Sequence, residues 1–171
     1  DVGLHGEKSN DQSQRLFRLA WAPMADTRVV EGPVGTAIQD AALDRGALAC
    51  ASEQLGVCST LIEMGALYAT QRKQFGVAIG TFQAVKHRLA NAKVKLEYAR
   101  AVVHRAAASV ANAAPTRASD VSMAKGVASE AATFAAKESL QVHGAIGYTY
   151  EQDLHVWMKR AWSLEIYRQN Q

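Results

Sequence analysis

The chain has 171 residues, 49% hydrophobic and 20% charged, an ordinary globular composition with enough length for one domain and a real core. Its net charge of +3 is too small, and its basic residues too scattered, for a nucleic-acid surface. No apolar stretch approaches the roughly 20 residues needed to cross a bilayer, and only three prolines interrupt the chain, which leaves room for long helices.

The chain starts at Asp1 with no signal peptide, as expected of a processed or truncated product. Residues 1–35 read as the remnant of a β-rich region and a linker. Leu16-Phe-Arg-Leu-Ala-Trp-Ala-Pro23 alternates weakly, and Thr27-Arg-Val-Val-Glu31 is a β-branched run before Gly32-Pro33. Alone, these strands are too few to make a sheet with a hydrophobic face.

From about Thr36 to Lys73 the pattern turns helical, with Leu48, Ala51, Leu55, Cys58, Ile62, Gly65 and Ala69 on one seam. Cys50 and Cys58 lie eight residues apart on this helix, too far along the axis to bridge. They read as small buried thiols in a reducing, cytoplasmic setting. Gly76 is expected to end the helix in a left-handed conformation, with Arg72 and Lys73 in its last turn, where the dipole favours cations.

Thr81 is placed to cap a second helix, from about Thr81 to Ala113. Phe82, Val85, Leu89, Ala92, Leu96, Ala99 and Val103 form its seam, with Arg88, Lys95 and Arg105 opposite. Asn112-Ala-Ala-Pro115 breaks it. A third, alanine-rich helix is predicted from about Thr116 to Val142, with Met123, Val127, Ala131 and Phe134 as its spine and a stop at Gly144-Ala-Ile-Gly147. A fourth, from about Glu151 to Tyr167, carries Leu154, Trp157, Ala161 and Leu164 on one face. Residues 36–171 thus predict an all-α, up-and-down antiparallel four-helix bundle.

The chemistry narrows quickly. No Glu-x-x-His pair serves a di-metal site, so no metal is expected. No Gly-x-Ser-x-Gly elbow is present, and both cysteines sit on the apolar seam. The five histidines read as surface or hydrogen-bonded residues. Anion binding is the better prospect. Arg72 offers a planar fork for phosphate oxygens, and Gln141-Val-His-Gly-Ala-Ile-Gly147 offers an amide and a loop that a ligand can approach closely. In an up-and-down bundle the turns after the first and third helices share one end, so the two loops can hold one extended ligand with phosphates and a flat ring.

Arg-Lys-Gln-Phe-Gly at 72–76, Phe82-Gln83, and Gln-x-x-Gly-Ala-x-Gly-Tyr at Gln141 to Tyr148 resemble the carboxy-terminal domain of the acyl-CoA dehydrogenases. The likeness runs from about Ala25 to the last residue. It implies a four-helix bundle, FAD as cofactor and oxidation of the Cα–Cβ bond of an acyl-CoA thioester. In that family a glutamate takes the α proton and the β hydride passes to flavin N5. The resemblance assigns Arg72 and Gln74 to the FAD pyrophosphate region, and Phe75, Phe82 and Gln83 to the adenosine part. Gln141, Gly144 and Ala145 go to that same end. It also implies a homo- or hetero-oligomer, because these groups bind FAD housed mainly by a neighbouring subunit. Asp44 matches an acidic position near the substrate in a Leu-Asp-x-x-Arg pattern, although position 47 is Ala47 and Arg45 is out of register.

The family places its catalytic glutamate at one of two positions. Here one falls on Arg168, within Tyr167-Arg-Gln-Asn170, and the other on Gly46. Arginine stays protonated and glycine has no side chain, so no catalytic base is assigned to this chain. The resemblance therefore leaves three readings: a redox flavoprotein domain acting on acyl-CoA, a cofactor-completing or structural subunit of a mixed assembly, or a helical scaffold whose loops only connect.

Overall fold

A computed structural model describes residues 3–22 and 24–166. Strands β1 (Gly3–Glu7) and β2 (Leu16–Ala20) pair antiparallel, Gly3 facing Ala20 and Glu7 facing Leu16. Four helices follow: α1 (Gly32–Gln71), α2 (Gln83–Ala111), α3 (Arg117–His143) and α4 (Leu154–Ile166). Between α1 and α2 lies a minimal hairpin of β3 (Lys73–Gln74) and β4 (Val77–Ala78). The predicted all-α bundle with a short β remnant is the architecture found.

Helices α1 and α3 form the centre, each packed against the other and against both α2 and α4. The core is built largely from small side chains. Ala51, Ala92, Ala99, Ala106, Ala124, Ala128, Ala132, Ala136 and Ala161 are all fully buried. Alanine lets helix backbones approach closely and loses no side-chain entropy on burial. Larger residues fill the layers between them, with Leu61, Leu96, Leu154 and Leu164 almost wholly enclosed.

The seam predicted for α1 is buried along its length, apart from half-buried Leu48. On α2 it is buried from Ala92 onward, whereas Phe82 at its start is exposed. The predicted α3 spine is rotated. Met123 is 58% exposed, whereas Ala131 is buried and Val127 and Phe134 pack half-buried against the core; the centre of the buried stripe runs through Val121, Ala124, Lys125, Ala128 and Ala132. In an alanine-rich helix the few large residues do not mark the core face, because small residues fill it.

Arg88, Lys95 and Arg105 do not form a free solvent face. Arg88 pairs with Glu138 at 2.9 Å and Lys95 with Glu130 at 2.6 Å, bridging α2 to α3. Arg105 reaches Asp120 at 3.1 Å, beside Ser109 and Thr116, whose hydroxyls donate to the same carboxylate. The Ser109 and Thr116 hydrogen bonds lead in holding Asp120 below the usual carboxylate range, against the opposing effect of burial and with help from Arg105. This cluster ties the end of α2 to the start of α3 across the break at Pro115.

Other expectations need correction. Thr27–Glu31 forms no strand: a 3-10 turn covers Ala25–Thr27, and α1 begins at Gly32, four residues earlier than predicted. Pro33 at the second helical position explains the early start, since it needs no N–H there and its φ is already helical. At the other end α1 stops at Gln71, so Arg72 is its C-cap and Lys73 opens β3. Thr81 does not cap α2. Phe82 occupies that position, and the Thr81 hydroxyl donates to the Ala78 carbonyl at 2.7 Å. Cys50 is half-buried and Cys58 buried, both as free thiols; burial pushes the Cys58 thiol up to about 12. No described helix is long and apolar enough to cross a membrane.

Candidate cofactor end of the bundle

Gly76 does adopt a left-handed conformation, with φ of 81°, but in a hairpin turn rather than a helix cap. Phe75 before it also has positive φ, at 52°, so both central residues of the two-residue turn are left-handed. That is the turn whose twist matches a tight β-hairpin. Asparagine, aspartate or glycine normally fills its first position, and a bulky phenylalanine there is strained. The Phe75 ring is 93% exposed and meets the Phe82 ring edge-on, with centroids 6.3 Å apart. Its burial stabilises little; the hairpin holds a strained aromatic ring out in the open.

The hairpin is fixed to the bundle. The Arg72 N–H donates to the Tyr68 carbonyl at 2.9 Å, and the Ile79 N–H to the Arg72 carbonyl at 2.8 Å. Gly80 lies against α1 so closely that a Cβ there would stand 3.0 Å from the Ala69 carbonyl oxygen. Gln74 and Gln83 are exposed, one on β3 and the other at the first residue of α2. No side chain caps α2: the Val85 and Lys86 N–H groups bond the Phe82 carbonyl, and those of Gln83 and Ala84 stand at the positive end of the helix dipole with no side-chain acceptor.

Helix α3 ends at Gly144, whose φ of 64° turns the chain into a 3-10 segment over Gly144–Tyr148. Gly147 is packed tightly, with Leu140 Cδ1 2.9 Å from where a Cβ would sit. The turns after α1 and α3 do share one end. Arg72, Tyr68 and Gln71 from the first, with His143, Ile146 and Gln152 from the second side, line a cleft of about 320 Å³. Among the residues assigned from sequence, Arg72 lines it directly. Gln141 and Ala145 are exposed and Gly144 half-buried on the adjoining turn, while Phe75, Phe82 and Gln83 project from the neighbouring hairpin and helix start.

The sequence marks His143 only as one of five histidines expected at the surface or hydrogen-bonded. It is 5% exposed, and its ring stacks on that of Tyr68 with centroids 4.5 Å apart. Its Nδ1 meets the Ser139 carbonyl at 2.8 Å, which sets the Nδ1–H tautomer and braces the turn that follows. Periodicity places it on the inner face of α3, but nothing in the sequence pairs it with Tyr68.

Asp44 lies far from this end. About 42 Å of helix separates it from Arg72 at the standard rise. It is 6% exposed, and Arg117 Nε at the start of α3 donates to its Oδ2 at 3.4 Å. Gly46, on the same stretch of α1, is exposed with no atom within 4 Å of a Cβ position. Replacing Gly46 by alanine is therefore expected to raise stability by up to about 1 kcal/mol, the helix-propensity difference. A loss of stability in urea titration would show that a close contact constrains this site. Arg168 lies outside the described residues.

The sequence matches the family described as acyl-CoA dehydrogenase, C-terminal domain, over residues 34–168. A relative from Mycolicibacterium smegmatis, acyl-CoA dehydrogenase IpdE2, is 41% identical over 134 residues, covering 78% of this chain and 41% of that protein. Among solved structures, butyryl-CoA dehydrogenase from Megasphaera elsdenii superposes with a TM-score of 0.89 at 27% identity, over 97% of this chain and 44% of that one. The ChsE4–ChsE5 complex from Mycobacterium tuberculosis gives 0.83 at 28% identity, over 96% and 44%. The chain thus spans less than half the length of these proteins. It belongs to the acyl-CoA dehydrogenase family, of which its bundle is the carboxy-terminal domain.

Proposed function

We propose that residues 36–171 contribute the ADP-end contacts for FAD in an acyl-CoA dehydrogenase-type flavoprotein that oxidises the Cα–Cβ bond of acyl-CoA thioesters. Residues 1–35 belong, on this reading, to the β domain beside it. The strained, exposed Phe75 carries the proposal. A ring held at positive φ in open solvent costs stability without returning it, which points to a partner surface or a flat ligand. Arg72 stands three residues away with no ion-pair partner among the described residues, suited to a pyrophosphate.

The residues present fit that group. Arg72, Gln74 and the free N–H groups of α2 meet diphosphate oxygens; Phe75, Phe82 and Gln83 flank an adenine or ribose; Gln141, Gly144 and Ala145 close the other side. FAD, when bound, supplies the hydride acceptor. The chain's own part is to bind and orient. Because Asp44 and Gly46 sit about 40 Å away along α1, no single cofactor reaches both ends of one chain. Each chain then serves two different sites, which requires an oligomer with FAD shared between subunits.

A second reading is that this chain completes the cofactor site of a mixed assembly while its partner supplies the catalytic base. Gly46 favours it, since that family base position holds no side chain, as does Arg168 at the other. A complex of two named subunits, ChsE4 and ChsE5, is among the structures this chain resembles.

The test replaces Arg72 by alanine and Phe75 by glycine, separately, in the full-length protein with any partner. Arg72→Ala is expected to weaken FAD binding about ten- to a hundred-fold, the value of a charged hydrogen bond. Phe75→Gly should weaken binding while raising stability by about 1 kcal/mol, because the turn strain is relieved. FAD retention unchanged in both variants would remove this end of the bundle from the cofactor site.

A further inference from the structure

The two loops of the proposed cofactor site hang from different helices. The β3–β4 hairpin and the Ile79–Thr81 turn after it rest on α1 and α2, whereas the Gly144–Tyr148 turn rests on α3 and α4. Among the described residues no hydrogen bond or ion pair joins one loop to the other. A ligand that touches both loops therefore needs something behind them to hold them in register.

That link lies one step back along each helix. Gly65 on α1 and Ser139 on α3 come so close that a Cβ on Gly65 would stand 3.1 Å from Ser139 Oγ. About one turn further on, Tyr68 and His143 meet, with their rings stacked at 22°. The imidazole is not free to turn. A carbonyl only accepts, so the 2.8 Å contact is an Nδ1–H bond to the Ser139 oxygen, and it fixes the ring plane against α3.

Each ring is also one step from its loop. The Tyr68 carbonyl accepts the Arg72 N–H at 2.9 Å, and the Arg72 carbonyl accepts the Ile79 N–H at 2.8 Å, which closes the hairpin. His143 is followed directly by Gly144, where the second loop begins. Both rings line the cleft that Arg72 enters. An aliphatic pair would fill the same space. Two stacked planes also fix how one helix end is rotated relative to the other, and such pairs contribute beyond their burial.

We propose that Tyr68 and His143 are positioning residues: their stack couples the Arg72 hairpin to the Gly144 turn, so that the two loops grip the ADP end of FAD as one rigid unit. The ligand in this statement rests on the cofactor reading given above; the coupling of the loops does not. The rings act through Arg72 on one side and Gly144 on the other.

The experiment compares Tyr68→Leu, His143→Leu and the double variant with the parent, in the full-length protein with any partner. Each single change is expected to weaken FAD binding about tenfold, the value of an aromatic pair and the order it imposes. The double variant should bind about as well as either single one, because the same stack is lost in all three. Tyr68→Phe and His143→Phe keep two stacked rings and should recover most of the affinity. In the same proteins freed of FAD, amide exchange should speed up across the stack: at 144–148 in Tyr68→Leu and at 73–78 in His143→Leu. Acceleration confined to the loop of the altered helix would overturn the coupling. So would a lower urea midpoint with uniformly faster exchange, which would make the rings an ordinary core pair. Losses that multiply to about a hundredfold in the double variant, or phenylalanine variants as weak as leucine, would show that each ring acts alone. Exchange coupled across the stack with unaltered FAD affinity would refute the positioning role alone. A parent that binds no FAD would refute the cofactor reading, leaving exchange to decide the coupling.

Discussion

Replacing Leu61 by alanine is expected to destabilise the bundle by about 2–5 kcal/mol, read as a shift of the urea midpoint at constant slope. Leu61 is fully enclosed on α1, the helix that packs against all three others. The size of a large-to-small effect depends on how well the surroundings collapse into the space left behind. Here many of the core side chains are alanines, which have no rotamers with which to refill a cavity. Closing it would require the helices themselves to move, against contacts along their whole length. For a domain whose total stability is about 5–15 kcal/mol, the loss is a large share. A change below about 1 kcal/mol would mean that the helices adjust more freely than an alanine core allows.

The same alanines explain what was legible in the sequence. Helix α1 could be read because its larger residues, Leu55, Leu61 and Ile62, lie on the face that is buried. On α3 that logic is weaker: Met123 is exposed, and the packing face is mostly alanine, with Val121, Val142, two serines and the polar Asp120, Lys125 and His143. Periodicity weighs side chains by hydrophobicity, and a surface chosen for close backbone approach carries little of it. Lys125 lies on that buried face too, where its ammonium donates to Ser129 Oγ and to the Glu165 carbonyl of α4, forty residues later, contacts that only the tertiary fold creates.

The proposed cofactor end was legible as a set of residue types, less so as a shape. Arg72 and the Gly144 turn could be placed at one end from helix count alone, and they share a cleft. The hairpin between α1 and α2 could not be foreseen. Phe75-Gly76 carries a glycine, but its first position holds a residue that such turns disfavour, so the local signal pointed to a helix cap. Disagreement between local preference and observed conformation is what strain at a functional site looks like from the sequence side.

Replacing Arg160 by methionine is expected to release the loop between β1 and β2 from α4 and to flatten its response to acid. Arg160 is the centre of that junction, bonded to Glu53 of α1 at 2.6 Å and to Asp11 of the loop at 3.2 Å. Ser163 donates to Gln14 at 3.0 Å beside it. The Asp11 side chain is 3% exposed, so without Arg160 it stays docked as an unpaired buried charge or leaves with its loop. Staying would cost about 3–5 kcal/mol, the usual result of removing one partner of a buried pair. Leaving costs only the docking energy, so release is the outcome at neutral pH, measurable as new protease cleavage within residues 8–15. The pH signs follow from the pKa of Asp11. Burial raises it, but hydrogen bonds from Ser13 and Arg160 and the Arg160 charge outweigh that, and the carboxyl lies below its ordinary value. Its contribution to docking is therefore complete above the pKa of the undocked carboxyl and is lost as pH falls through the depressed value. In the methionine variant the Ser13 hydrogen bonds remain but the Arg160 bond and charge are gone, so the docked carboxyl shifts upward and contributes less to docking. The fall in loop protection on acidification, which begins in the parent as pH drops towards about 4, should then be shallower in the variant. Parallel pH profiles for parent and variant would show that Arg160 does not govern Asp11.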